Sequence, residues 1–443
     1  MSSVTQVAEA MQTILSDVAD QAAYRTGFVQ RESKMGGAEF VQTVTFGWLS
    51  NPQATLNELT QTAATLGVVI TPQGLEARFT PAAAACLQAV LQQAVAQVMA
   101  AHPVAVPLLQ RFTAIYLTDS TQIQLPGALA EVWQGNGGYH VPKNGSAALK
   151  VQLRWEWLTG QLEGPFLQNG RAADRSSPTQ VATMPAGALK LADLGYFSLD
   201  TLQAISAQQA YWLTRVMAGT QVYEAAGAPL ELCAWLEHQT GLTVECPIQL
   251  GKIHRLPARL LAVRMPAAVV ARRRRQLKEA ARRRQQPVSP ERWALAHWTL
   301  LVTNVPPEKL SLPEALIVAR VRWQIELLFK LWKSQGHVDT SPSGKPWRIL
   351  CEVYAKLLAM VIQHWVTLTA AWAAPDRSLV KAAQTIRKHA LHLASRLVEG
   401  EASFIAGLQV IQRCLQTGCR IEKRRNQPSA FQLWFDPDSG LLA

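Results

Sequence analysis

Three acidic side chains stand out by type and setting: Asp119, Asp193 and Glu326, separated along the chain by 74 and 133 residues. Asp119 ends the first strand, a β-rich run at 112–117 that reaches it, Asp193 follows a short strand expected over 188–191, and Glu326 falls on a long helix expected from 313 to about 335. Carboxylates delivered from several elements are the hard oxygen ligands that metal-assisted phosphoryl chemistry needs. Two Mg²⁺ ions about 3.5–4 Å apart can activate a water or a 3′-hydroxyl and stabilise the leaving oxygen. By position alone these are three acids among 31. The surroundings of Glu326 raise their weight. At roughly 100° per residue, Arg322, Glu326, Lys330 and Lys333 fall within an arc of roughly 80°. Val318, Val321, Ile325, Leu328, Phe329 and Trp332 form the adjoining apolar face. Such an array is either exposed i,i+4 ion pairing, worth a few tenths of a kcal/mol, or a metal ligand set among phosphate-binding cations.

The elements that must position these groups change character along the chain. Residues 1–105 read as helical: Leu56, Leu59, Ala63 and Leu66 keep helical spacing up to Gly67, and Thr71-Pro72 and Thr80-Pro81 supply cap and first-turn pairs. Helix, short Gly turn, helix suits a DNA-reading helix-turn-helix, although a plain bundle fits the stretch better. Beyond Pro103 and Pro107 strands take over. Val151, Leu153, Trp155 and Trp157 alternate with Lys150, Gln152, Arg154 and Glu156, as in a half-buried strand turning at Thr159-Gly160. Residues 135–145 form a Gly-rich loop with Lys143. Residues 218–297 hold strands at 242–250 and 252–263, then a basic helix carrying Arg272, Arg273, Arg274, Arg275, Lys278 and three further arginines at 282–284. Strand texture returns at 298–303, helices run on to about 418, and Lys423, Arg424 and Arg425 give a basic tail.

The parse is an α/β chain with a mixed core, interrupted by one insertion and flanked by helical ends. It has a helical N-terminal segment (1–105), a first core part (106–217), a β-rich insertion with the basic helix (218–297), a second core part with the Glu helix (298–350) and a helical C-terminal region (351–443). A length of 443 residues suits about three domains, and 49% hydrophobic against 17% charged residues excludes a disordered chain. The formal charge of +12 favours a polyanionic partner, nucleic acid or an anionic membrane surface. The six cysteines include no Cys-x-x-Cys pair, which argues against a zinc module or a disulfide scaffold and makes a reducing cytoplasm the expectation. His254, His297 and His337 lack ligand spacing and read as structural. The N-terminus reads as an amphipathic helix rather than a signal peptide. The apolar stretch 357–374 contains Gln363, His364, Thr367 and Thr369, so a core helix is expected and no membrane partner.

Arg322-Trp323-Gln324-Ile325-Glu326, followed by Lys333, resembles the Arg-x3-Glu-x6-Lys part of the Tyr-Arg-Glu-Lys signature of DDE transposases, specifically the insertion-sequence-four family of bacterial elements. Thr118-Asp119-Ser120-Thr121 looks like that family's first Asp motif. Ala192-Asp193-Leu194-Gly195-Tyr196-Phe197 looks like its second, and Leu301-Val302-Thr303-Asn304 resembles the strand before the Glu helix. The resemblance covers roughly residues 30–430. It implies an RNase H-like catalytic core, with 218–297 as the β-rich insertion and the N-terminal segment as a DNA-binding domain. The implied enzyme is a cut-and-paste transposase that cleaves and joins double-stranded DNA at transposon ends and target, pairs as a homodimer on DNA, and works in the bacterial cytoplasm at the nucleoid.

By the same resemblance Asp119, Asp193 and Glu326 carry two Mg²⁺ ions, with Mn²⁺ able to substitute. Arg322, Lys330 and Lys333 contact end phosphates, and Trp298 and Trp323 match aromatic positions that hold or displace a flipped base in hairpin-forming relatives. In a DNA enzyme the Arg272–Arg275 run becomes a backbone clamp. The signature's Tyr position is Ala319 here. That departure leaves two other readings: an inactive DNA-binding derivative acting as a regulator, and a structure-selective nuclease on the same fold.

Overall fold

A computed structural model describes residues 3–31, 33–136, 146–180, 182–422 and 430–435. The chain opens with helices α1 (Val4–Thr13), α2 (Ala19–Arg25), α3 (Gly37–Ser50), α4 (Leu56–Thr65), α5 (Pro72–Glu76) and α6 (Pro81–Val95). Strands β1 (Ile115–Leu125), β2 (Ala147–Glu156), β3 (Leu162–Asn169) and β4 (Leu189–Ala192) follow, then α7 (Leu199–Ala207) and β5 (Tyr211–Arg215). Next come β6 (Val222–Glu224), β7 (Pro229–Leu230), α8 (Leu232–Glu237), β8 (Thr243–Leu250) and β9 (Leu256–Arg264). After α9 (Ala267–Arg284), α10 (Pro290–Leu295) and β10 (Trp298–Thr303) the chain is helical: α11 (Leu312–Val321), α12 (Trp323–Ser334), α13 (Pro346–Leu368), α14 (Leu379–Glu399), α15 (Glu401–Gly418) and α16 (Ala430–Phe435).

Local chemistry sets many of these boundaries. The Thr71 and Thr80 hydroxyls accept the Gly74 and Ala83 amides at 3.1 and 3.2 Å, each with Pro in the first helical turn. Gly67 and Gly160 take φ of +82° and +76° where α4 ends and where β2 turns into β3, a conformation that a side chain would oppose.

The ten strands follow the hydrogen-bonded order β3-β2-β1-β4-β5-β10-β9-β8-β6-β7. β1, β4 and β5 run parallel, whereas β2 with β3 and the pairings of β5 through β10, β9 and β8 are antiparallel. The strands of the 218–297 segment thus continue the main sheet through β9 and β10. The chain divides into two compact units. Unit 1 holds 1–106, 119–172 and 323–431; unit 2 holds 107–118, 173–322 and 432–443.

In unit 1 the N-terminal helices share a core with the C-terminal ones: α3 and α6 pack on α13, and α14 packs on α3 and α15. α13 is long and apolar enough to cross a membrane, but 94% of its most apolar window is buried inside the protein. It is a core helix. In unit 2, Trp212, Leu260, Val302, Leu250, Ala188 and their neighbours fill a core against one face of the sheet, with α7 among the elements that cover it.

Three sequence expectations need correction. The 313–335 helix is two helices: the hydrogen-bond ladder lapses at Arg322, amid β-branched and aromatic residues whose restricted χ1 weakens it. The first strand does not end at Asp119 but runs on to Leu125, because Thr121 and Ile123 suit a pleated, half-buried surface. Finally, β2 is buried on both faces. Gln152, Arg154 and Glu156 are at most 5% exposed, since Arg154 meets Glu163 at 3.0 Å and Glu156 caps the turn by accepting the Leu158 and Thr159 amides. Within the 135–145 loop, residues 137–145, including Lys143, lie outside the described residues, as do Lys423, Arg424 and Arg425.

Candidate active site

Alternating buried side chains, Ile115 and Leu117 on β1 and Leu189 and Leu191 on β4, bring these strands into parallel register. Their last registered pair is Thr118 with Ala192. Asp119 and Asp193 are the next residues along the two strands. Asp119 is half-buried, and its Oδ1 accepts the Ser120 amide at 2.8 Å. Asp193 is exposed at the head of a single 3-10 turn, where its carbonyl accepts the Tyr196 amide at 3.0 Å.

A hollow of about 290 Å³, open solvent included, lies beside Asp193 and is lined by Lys190, Tyr196, Thr201, Trp212 and Thr214 among others. Lys190 is only 7% exposed. Its ammonium donates to Gln180 Oε1 at 2.5 Å, and Gln180 Nε2 donates to the Tyr196 carbonyl at 2.8 Å, which holds the turn that follows Asp193. The sequence reading missed this pair. Its one signal is a lysine inside the otherwise apolar strand that leads to Asp193.

Glu326 sits in the first turn of α12, half-buried, where the positive end of the helix dipole favours a carboxylate. Ile325, Leu328, Phe329, Leu331 and Trp332 bury the helix's apolar side. Lys333, two turns on, donates to the Gln122 carbonyl of β1 at 3.1 Å and lies 3.8 Å from the Asp339 carboxylate. Within unit 1 the Glu helix is therefore tied to the strand three residues beyond Asp119. Lys330 is exposed and Arg322 half-buried. Ala319 stands on α11, half-buried, where the sequence signature would place a tyrosine.

The two tryptophans part company. Trp323 is 53% exposed, whereas Trp298 is 6% exposed, packed with Leu236 and Ala262 and covered by the Arg264 guanidinium 4.6 Å from its ring centroid. Of the two, Trp323 is the ring open to solvent.

The basic helix α9 is divided in the same way. Arg273 donates to the Trp298 carbonyl and Thr299 Oγ1, both at 2.8 Å; burial, reinforced by Arg215 and Arg272, lowers its pKa. Arg274 reaches His297 at 2.8 Å and lies over the Trp293 ring at 4.5 Å. Arg272 and Arg275 are exposed.

The carboxylates are hard oxygen donors of the kind Mg²⁺ takes, and two of them follow a registered strand pair, so the donor chemistry fits the metal. Among the described residues, no group of three or more His, Cys, Asp or Glu side chains is gathered as a metal would require.

The class this sheet and these acidic residues suggest agrees with comparison to known proteins: residues 110–362 match the family described as transposase DDE domain, and the chain belongs to that family. It is similar to the transposase for insertion sequence element IS231F of Bacillus thuringiensis subsp. israelensis, 27% identical over 379 residues, covering 80% of this chain and 78% of the relative. The transposase for IS231B of B. thuringiensis subsp. berliner is 26% identical, with 77% and 75% covered. That for IS1151 of Clostridium perfringens is 24% identical over 58% of each chain. The chain is thus a transposase of the DDE class, an enzyme that moves DNA and binds it.

Proposed function

We propose that the chain performs cut-and-paste transposition by Mg²⁺-dependent strand cleavage and transfer at terminal inverted repeats, with Asp119, Asp193 and Glu326 as the metal-holding carboxylates. One observation carries this reading: the registered Thr118–Ala192 pair, with an aspartate next on each strand. The order β3-β2-β1-β4-β5, with β1, β4 and β5 parallel, supports an RNase H-like core. The Lys333–Gln122 link supports pairing the Glu helix with the same strand. Bound there, two divalent ions would sharpen a water or a 3′-hydroxyl for in-line attack and neutralise the leaving oxygen. Arg322 and Lys330 bind end phosphates, Trp323 stacks on an unpaired base, and Arg272 and Arg275 hold the duplex backbone. Pairing two ends requires a dimer assembled on DNA, in the cytoplasm where the bacterial chromosome lies.

The test is cleavage of a duplex carrying the element's terminal repeats, in Mg²⁺, by the parental chain and by Asp193→Ala. The expected loss is roughly 10³-fold, about 4 kcal/mol of transition-state stabilisation. Cleavage by the variant at the parental rate would remove Asp193 from the site. Ala319 supports a second reading, an inactive DNA-binding regulator. A parental chain that binds ends without nicking them would establish it.

A further inference from the structure

Glu352 and Lys356, one turn apart on α13, each have a side chain only 1% exposed. The Lys356 ammonium donates to Glu352 Oε1 at 2.7 Å and to the carbonyls of His337 and Thr340 at 2.9 Å each. Those bonds use all three of its N–H groups. The other Glu352 oxygen accepts the Ser341 hydroxyl at 2.6 Å. An ion pair buried this deeply is often no more stabilising than apolar side chains of the same shape, so what it holds matters more than the pairing itself.

It holds the loop 337–341 that follows α12. That loop is demanding: His337 takes φ +46°, a left-handed conformation unfavourable for a side chain. At Gly336, just before it, a Cβ would lie 2.6 Å from both the Trp332 carbonyl and the Met360 sulfur. The loop also carries Asp339, the carboxylate 3.8 Å from Lys333, whose amine donates to Gln122 of β1.

We propose that Glu352 and Lys356 are positioning residues for catalysis: by fixing loop 337–341 they set Asp339 against Lys333 and so hold α12, with Glu326, to β1, with Asp119. The proposal rests on the reading of Asp119 and Glu326 as catalytic.

The double variant Glu352→Leu/Lys356→Met removes both charges at nearly constant volume. In the full chain it keeps the parental thermal midpoint and the parental KM for end-containing duplex. Its kcat for cleavage falls about 10- to 100-fold, the range seen when groups that orient ligands are removed. Amide hydrogen exchange across 331–341 becomes measurably faster in the absence of DNA and metal. Should the double variant fail to fold, Asp339→Asn/Ser341→Ala cuts the loop's side of the clamp, with the same kcat-against-KM split expected. Parental kcat in a folded variant of either kind overturns the proposal. Asp119→Ala, run alongside, separates the two failures. If it cleaves at the parental rate, the site reading itself falls; if it is inactive while the double variant is at parental kcat, only the clamp falls.

Discussion

Both units stack guanidinium groups on indole rings, and the two settings differ in what is left over. In unit 1, Arg377 lies 3.7 Å over Trp372 and 5.1 Å over Trp157 and donates to the carbonyls of Trp372 and Ala374. His364 Nε2–H donates to the Gly160 carbonyl at 2.6 Å, and Trp155 packs on Trp372 with ring centroids 5.3 Å apart. Burial pushes His364 down to about 4 and Arg377 down to about 9. In unit 2, Arg274 and Lys278 cover Trp293 at 4.5 and 5.3 Å, while Arg272 and Arg275 beside them are exposed. One contact type thus closes a core in the first case. In the second it roots a helix that leaves further cations exposed.

Three experiments test that contrast, from the largest effect to the smallest. Trp372, fully buried, anchors the closed cluster. Trp372→Ala should cost about 3–5 kcal/mol in denaturant unfolding, and a loss below 1 kcal/mol would show that the cluster does not hold unit 1.

His364 provides the pH test. Its folded pKa, about 4, lies below the ordinary 6.5, so the unfolded chain takes up the proton first. The stability it contributes is complete above pH 6.5 and is lost as pH falls toward 4, on the order of 3 kcal/mol. His364→Gln should be less sensitive to acid than the parent over that window. Equal acid sensitivity in the two proteins would contradict the closed setting.

Arg272→Ala and Arg275→Ala should leave stability within about 0.5 kcal/mol. Each should lower the slope of log binding constant against log salt by about 0.9 for duplex DNA. An unchanged slope would mean that these cations face no phosphate.

Much of this was legible in the residues. The caps at Thr71 and Thr80, the strand leading to Asp193, the basic helix and the buried α13 all follow from side-chain chemistry acting within a few residues. What escaped was tertiary. The alternation in β2 predicts one wet face, yet Glu163 and the 158–159 turn supply partners that let Arg154 and Glu156 be buried. Trp298 and Trp323 look equivalent as residue types, and only packing against Leu236 and Ala262 separates them. Similarly, a Glu–Lys pair at i,i+4 on a long helix normally reads as surface decoration. Nothing short of the fold reveals that Glu352 and Lys356 face the 337–341 loop.

The most direct measurement of the central claim is a metal-specificity swap at the second strand. Asp193→Cys replaces a hard oxygen donor with a thiolate, which suits Mg²⁺ poorly and binds Mn²⁺ better. Cleavage of the end-containing duplex should vanish in Mg²⁺ and return in part when Mn²⁺ is supplied. Parental cleavage by Asp193→Cys in Mg²⁺ would contradict the account.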